Sequence, residues 1–164
     1  MKTLVIHPTD PTTDFLKAIY VGKPWTVISH FVDRQTLKTL ISSYDKIIMM
    51  GHGTPAGLIG HGSMVITEEF APLLAEKECV FIWCNADKFV ERHNLKGFYT
   101  GMIISEVEEA LYCDVDTTPE DIKTSNALFA SLIREGFNAE IIKSRYVSET
   151  NEVIKYNTKN IYSK

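Results

Sequence analysis

The chain has 164 residues, of which 45% are hydrophobic, and a formal net charge of −4 at pH 7. This length predicts a single domain spanning residues 1–164, because it supports one substantial core and is too short for two domains of ordinary size. The acidic balance disfavours nucleic acid as a partner, since binding phosphates requires a basic surface.

Cysteine usage and the N-terminus bear on the cellular location. The cysteines Cys79, Cys84 and Cys113 lack the spacing of a metal site and leave an odd thiol, which favours a reducing compartment over a disulfide framework. The N-terminus MKTLVIHPTDP lacks the apolar core and cleavage site of a signal peptide, and no apolar run is long enough for a membrane span. We therefore expect a cytoplasmic protein with no membrane partner.

Strands and helices alternate in the N-terminal part of the chain. Apolar runs at 4–6, 26–29 and 47–50 predict strands, and apolar residues at helical spacing predict helices at 12–20 and after Asp33. The run at 47–50 is apolar at consecutive positions, which is typical of a strand covered on both faces. This order predicts a mostly parallel sheet with helices on both faces.

A glycine-rich segment interrupts this alternation after His52. Residues 57–66 form a short segment punctuated by glycine, which predicts a β-hairpin or a loop excursion rather than a helix. Thr67 then begins a predicted helix whose regular part starts at Pro72. Val80–Trp83 is a second apolar run and predicts a second buried strand.

The C-terminal half carries both helix and strand patterns. The remaining predicted elements are a strand at 98–104, a helix opened by a capping-box pattern at 105–108, a helix from Thr118 to Gly136, and a terminal strand pair at 139–147 and 152–156. Proline at the first helical position and glycine after the last one support the long helix in this set.

His52 and Cys84 each stand just past a buried apolar strand. In an open α/β sheet, ligands and catalytic groups gather at the carboxyl ends of the strands, so parallel neighbouring strands would bring the imidazole and the thiol to one edge. A thiolate is the working nucleophile and needs a base within reach. The pattern predicts a His52/Cys84 dyad, with the backbone N–H groups of Gly53 and Cys84 as oxyanion donors.

These residues resemble the motifs of the caspase-like (clan CD) cysteine peptidases, which include caspases, legumain, gingipains and CHAT domains. In that group one apolar strand ends in His-Gly and a second ends in the nucleophilic Cys, and the caspases place a glycine-punctuated hairpin and a helix between them. The matching segments here are IIMMGHG, GLIGHG, TEEFAPLLAEK and VFIWCNAD. The resemblance implies a three-layer caspase-like α/β fold with a small hairpin after the His-Gly strand. It also implies cleavage of a peptide or protein substrate, with His52 as base and Cys84 as nucleophile.

Three further residues are candidates for the substrate-binding pocket. Trp83 precedes the nucleophile, where the group usually has a small residue, and its ring would form or fill the pocket floor. Asp87 and Glu106 would select a basic residue before the scissile bond, because a carboxylate in a partly desolvated pocket stays ionised beside a cation. A solvated loop position or a helix cap is the structural alternative for Asp87, and a helix cap is the alternative for Glu106.

Other chemistries match the sequence less well. GHGTPAG lacks the Lys-Ser/Thr of a P-loop, Cys84 and Arg92 do not have phosphatase spacing, and no regular spacing supports a zinc site at His52, His61 and Cys84. No metal or cofactor is therefore expected. Two alternatives stay open: a caspase-like scaffold or binding protein in which Cys84 is a small buried side chain, and a flavodoxin-like small-molecule-binding domain.

Overall fold

The chain forms one central sheet and one small sheet, surrounded by helices. The computed structural model describes residues 1–164. The strands are β1 (Thr3–Ile6), β2 (Thr26–Ile28), β3 (Lys46–Met50), β4 (His52–Thr54), β5 (Gly57–Gly60), β6 (Ser63–Ile66), β7 (Glu78–Ile82), β8 (Phe98–Thr100) and β9 (Ile161–Ser163).

The central sheet has six strands in the order β2-β1-β3-β7-β8-β9. Neighbouring strands are parallel throughout, except that β9 runs antiparallel to β8. Strands β4, β5 and β6 form a separate antiparallel sheet directly after β3. The predicted α/β architecture, with a mostly parallel sheet and a hairpin after the His-Gly strand, is confirmed.

Helices connect most of these strands. A 3₁₀ helix spans Pro11–Ile19 and a shorter one spans Glu68–Phe70. The α-helices are α1 (Arg34–Ser42), α2 (Ala71–Leu74), α3 (Ala86–Arg92), α4 (Val107–Tyr112), α5 (Pro119–Glu135), α6 (Ala139–Arg145) and α7 (Glu152–Thr158).

The helices cover both faces of the central sheet. Helices α1, α2 and α3 pack on one face, here called the α1 face. The 3₁₀ helix Pro11–Ile19 packs with α5, α6 and α7 on the other, here called the α5 face. Successive strand side chains point to opposite faces, so in β3 Ile47 and Met49 join the core of the α1 face while Ile48 and Met50 join that of the α5 face. This burial on two sides explains the consecutive apolar residues of β3.

The C-terminal segment differs from its prediction. Residues 139–147 and 152–156 do not form strands, because they contribute helices α6 and α7. Asn138 and Asn151 cap these helices by accepting hydrogen bonds from N–H groups of the first turn, which satisfies donors that have no partner inside the helix. Both helices bury apolar side chains on the α5 face, and that burial favours them over a strand pair.

Two predicted boundaries also differ from the structure. Strand β8 ends at Thr100, before the end predicted for it. Helix α4 follows the predicted capping box at 105–108, but the box does not form, since Glu106 is the N-cap residue and makes no side-chain capping hydrogen bond. Ser105 pairs instead with Glu109, one residue further along.

Candidate active site

His52 and Cys84 emerge at the same edge of the central sheet because β3 and β7 are paired in parallel. Met50 at the end of β3 pairs with Ile82 at the end of β7, and His52 and Cys84 follow these two residues at equal distance along the chain. Both residues line one cavity at the strand ends, here called the dyad cavity. The structure therefore brings the two candidate catalytic residues to one place.

The dyad cavity is small and mostly apolar. The 3₁₀ helix Pro11–Ile19 supplies Thr13, Phe15 and Leu16 to its wall, and α5 supplies Phe129. Its volume is about 30 Å³, whereas a single water molecule needs about 10–15 Å³ of such space. The cavity therefore has room for a water molecule or two and not for the side chain of a substrate.

A polar relay from the start of the 3₁₀ helix holds His52. Its Nε2 lies 2.5 Å from Thr12 Oγ1 and 3.7 Å from Asp10 Oδ2, and Thr12 Oγ1 donates to Asp10 Oδ1 at 2.7 Å. Hydrogen bonds from Thr12 lower the pKa of Asp10, so its carboxylate is ionised at neutral pH and accepts the hydroxyl proton. Because a hydroxyl has one proton, Nε2 must supply the proton of its own bond to Thr12. The neutral imidazole therefore presents Nδ1 as its basic nitrogen.

Cys84 lies in a sharp turn between β7 and α3. Asn85 adopts a left-handed backbone conformation with a φ of 65°, which asparagine adopts more readily than most residues. The Cys84 Sγ donates to Ile103 O at 3.3 Å and lies 3.7 Å from Glu109 Oε2. No hydrogen bond joins Cys84 to His52, so the two side chains share a cavity but do not form a coupled pair at rest.

The thiol of Cys84 is in its unreactive form. Burial, and next the Glu109 carboxylate, raise the pKa of Cys84 to about 12. At pH 7 a thiol with that pKa is ionised in about one molecule in 10⁵, whereas reactive cysteines have a lowered pKa. The Glu109 carboxylate is held in place, since its Oε1 accepts from Ser105 N at 2.9 Å and from Ser105 Oγ at 2.8 Å.

Sequence reasoning missed Glu109 as a contact of the nucleophile. The local signal for its orientation is a serine four residues before a glutamate at the start of α4. Ser105 precedes the N-cap residue of α4, and Glu109 reaches back to it from the first turn. This spacing does not reveal that the second carboxylate oxygen lies near Cys84.

The two predicted oxyanion donors differ in their surroundings. The Cys84 N–H makes no hydrogen bond within the chain, so this donor is free for a ligand. Gly53 lies in β4 opposite Leu58, and a Cβ at position 53 would collide with the Trp83 ring. Close packing against Trp83 is therefore a structural reason for glycine at this position.

Trp83 does not form the pocket floor that its position suggested. Trp83 borders the dyad cavity, but its ring is buried on the α1 face beside Phe81 and Phe89. Residues of the α5 face, on the other side of the sheet, form the rest of the cavity wall. The indole Nε1 donates to Thr54 O at 3.0 Å. The ring thus ties β4 to the core and leaves the dyad cavity open.

The two acidic candidates also take different positions. Asp87 lies in the first turn of α3 and does not line the dyad cavity, and its charge instead contributes to raising the pKa of Tyr99 and of Tyr162. Glu106 does not line the dyad cavity either, but it lies near enough to His52 to interact with a protonated imidazole. Burial, and next the neighbouring Glu109, raise the pKa of Glu106. Of the two acidic candidates, Glu106 is therefore the one near His52.

The chain matches no protein-family model and no curated protein sequence. None of its helices combines the length and the apolar character needed to cross a membrane. No three His, Cys, Asp or Glu side chains are grouped in a way that would hold a metal ion. The functional interpretation therefore depends on the chemistry of the dyad cavity itself.

Proposed function

We propose that the protein is a cysteine endopeptidase of the caspase-like type, held in a latent state, with His52 and Cys84 as its catalytic residues. One observation carries the proposal: both residues line a single cavity at the carboxyl ends of two paired parallel strands, which is where α/β proteins place catalytic groups. The hairpin sheet that follows His52 agrees with the motif order on which the resemblance to caspases depends.

In the proposed reaction, His52 Nδ1 takes the proton from Cys84 Sγ, and the thiolate attacks the carbonyl carbon of a peptide bond. The new C–S bond forms as the carbonyl electron pair moves onto oxygen, where the free Cys84 N–H stabilises it. His52 then gives its proton to the leaving nitrogen as the C–N bond breaks. Water hydrolyses the thioester, its hydroxyl joins the acyl group, and its proton returns to sulfur through the imidazole.

Two features of the resting state must change before this reaction begins. The Cys84 thiol must leave Ile103 O and Glu109 and turn toward His52. The wall formed by the 3₁₀ helix Pro11–Ile19 must also move, because the cavity is too small for a peptide. This helix has nine residues, and 3₁₀ helices longer than about four residues are uncommon because their hydrogen-bond geometry is poor. It is therefore the element best suited to open.

The proposed substrate is a peptide with a basic residue before the scissile bond. Asp10 and Glu106 both interact electrostatically with His52. A cationic side chain beside Glu106 would favour its ionised form, which burial disfavours in the resting protein. Asp87 has no part in this selectivity, since it lies outside the site.

The test combines a thiol probe with a peptide library and uses the full-length protein. Thr12→Val breaks the hydrogen bond that ties the 3₁₀ helix to His52, so we expect the wall to open more easily. Both Cys84 alkylation by iodoacetamide and cleavage after Arg or Lys should then rise. His52→Gln is expected to abolish cleavage and slow the alkylation, and His30→Gln, at an exposed histidine outside the dyad cavity, is the matched control. Cys84 labelling that does not respond to His52→Gln, together with no cleavage of any peptide by Thr12→Val, would rule out the peptidase.

A non-catalytic scaffold of the same fold is the second candidate. The observation in its favour is the raised pKa of Cys84, together with a thiol that donates to Ile103 O rather than to His52. In that case Cys84 acts as a part-buried hydrogen-bond donor, Cys84→Ala lowers the free energy of unfolding, and neither the wild type nor Thr12→Val cleaves a peptide. Urea unfolding of Cys84→Ala, compared with the peptide assay above, separates the two candidates.

A further inference from the structure

A second and larger cavity lies on the α1 face, away from the dyad. Its volume is about 230 Å³, and an engineered cavity of about 150 Å³ is large enough to bind benzene. Its floor is apolar and comes from the ends of β1 and β2 and from α1, through Ile6, Ile28 and Leu37, which are 2%, 8% and 2% exposed. A ring system of one or two fused rings would therefore fit above this floor.

Aromatic and thioether side chains stand at the mouth of this cavity. Phe31 lines the cavity and is 65% exposed, so its ring is accessible to a ligand. His61 packs edge-to-face against the Phe31 ring, with the ring centroids 6.2 Å apart. Met64 lines the same cavity, and sulfur–aromatic contacts are favourable. These three side chains would contact a flat ring from several sides.

The backbone of His61 supports a role for its side chain. His61 has a φ of 54° in the turn between β5 and β6, where glycine or asparagine fits with less strain. The turn places His61 in the wall of the cavity, and residues held in uncommon backbone conformations cluster at ligand-binding positions.

The cavity also offers polar groups to a ligand. His30, His61 and Ser63 line it and are exposed, so their polar groups are accessible to a ligand. Nearby charges are balanced, because the acidic Asp33 and Glu69 offset the basic Arg34 and Lys38. Asp33 and Arg34 line the cavity, and Glu69 pairs with Arg34 at 3.0 Å and with Lys38 at 3.6 Å. The rim therefore suits a neutral ligand with hydrogen-bonding edges better than a phosphate or a cation.

We propose that this cavity binds a neutral, planar heteroaromatic molecule of nucleobase size. The ring would stack on Phe31 and His61 over the apolar floor, and its polar edge would contact the imidazoles and the Ser63 hydroxyl. This site is separate from the dyad cavity, and the proposal does not depend on peptidase activity.

The test titrates the full-length protein with adenine and with indole, and follows binding by backbone amide chemical shifts. Indole has a similar bicyclic shape but a single N–H as its polar edge. We expect saturable adenine binding that is tighter than indole binding, with shifts confined to residues 6–8, 28–37 and 61–65. Phe31→Ala and His61→Asn should each weaken adenine binding about 5-fold or more, as loss of an aromatic stacking partner does.

The substitutions at Phe31 and His61 are chosen so that the variants fold like the wild type and weaker adenine binding can be assigned to the lost side chain. Phe31 and His61 are both exposed, and asparagine tolerates the backbone conformation at position 61. Leu111→Ala, at an exposed residue of α4, is the control and should leave adenine binding unchanged. Absent or non-saturable adenine binding, indole binding as tight as adenine binding, shifts centred on the dyad cavity, or equal loss in all three variants would each overturn the proposal.

Discussion

Replacement of Glu109 by glutamine tests whether its charge holds the thiol of Cys84 in the neutral state. The glutamine side chain keeps an acceptor oxygen for Ser105, so the local structure is preserved while the negative charge is lost. The carboxylate oxygen of Glu109 lies 3.7 Å from Cys84 Sγ. Coulomb's law gives about 1 kcal/mol at that distance in water and about 4 kcal/mol at an effective dielectric constant of about 20.

This energy translates into a measurable rate of alkylation. A gain of about 1–4 kcal/mol for the thiolate raises its fraction at pH 7 about 5- to 1000-fold. Nucleophilicity falls as the pKa of a thiol falls, so the alkylation rate should rise by a smaller factor of about 2- to 30-fold. Cys84 remains partly shielded by burial, which is the larger cause of its raised pKa.

The assay is stopped-flow alkylation with iodoacetamide, with mass spectrometry of peptides to assign the label to Cys84. The pH at which the rate rises should shift downward in Glu109→Gln. Glu108→Gln, at the exposed neighbour on α4, is the matched control and should alkylate like the wild type. An unchanged rate in Glu109→Gln, or the same increase in Glu108→Gln, would refute the argument that this one carboxylate suppresses the thiolate.

Three further predictions concern the core and the buried polar groups. Trp83→Ala should lower the free energy of unfolding by about 3–5 kcal/mol but should not speed Cys84 alkylation in the folded state. Faster alkylation would show that the ring restricts access to the dyad cavity. Cys79 is 2% exposed, and burial raises its pKa to about 12, so iodoacetamide should alkylate it only as the protein unfolds in urea. Alkylation of Cys79 in native buffer would contradict this. Burial lowers the pKa of His7 to about 4, so the unfolded state takes up the proton first as the pH falls from 6.5 to 4. The free energy of unfolding in urea should therefore fall by up to about 3 kcal/mol between pH 6.5 and pH 4. If His7→Gln shows the same fall, groups other than His7 cause it.

Local sequence determined where several elements begin and how the central strands are buried. Asp33 accepts from the Thr36 N–H at 2.9 Å, and Thr118 accepts from the Asp121 N–H at 3.1 Å, so helices α1 and α5 start where their capping residues predicted. These capping residues can be recognised in the sequence because both hydrogen-bond partners lie within one helical turn. Strand β3 could also be predicted from its own sequence, because a strand buried on both faces is apolar at consecutive positions.

Local sequence patterns gave the wrong secondary structure where burial of apolar side chains determined the conformation. Residues 139–147 contain β-branched and aromatic side chains, yet they form α6, because its apolar side packs on the α5 face. Neither α3 nor β9 was predicted. Strand β9 is three residues long and gains its hydrogen bonds only by pairing with β8, so its sequence carries no periodicity by which to recognise it.

The sequence predicted that His52 and Cys84 follow two strand ends. The hydrogen bonding of His52 and the pKa of Cys84 were determined by the tertiary structure. Thr12 is separated from His52 by 40 residues and Glu109 from Cys84 by 25 residues, so no motif records either contact. The face on which the Trp83 ring is buried was likewise set by packing against Phe89 and Gly53. Reactivity depends on such contacts because a thiol pKa responds to burial and to charges within a few ångströms in space, whatever their distance along the chain.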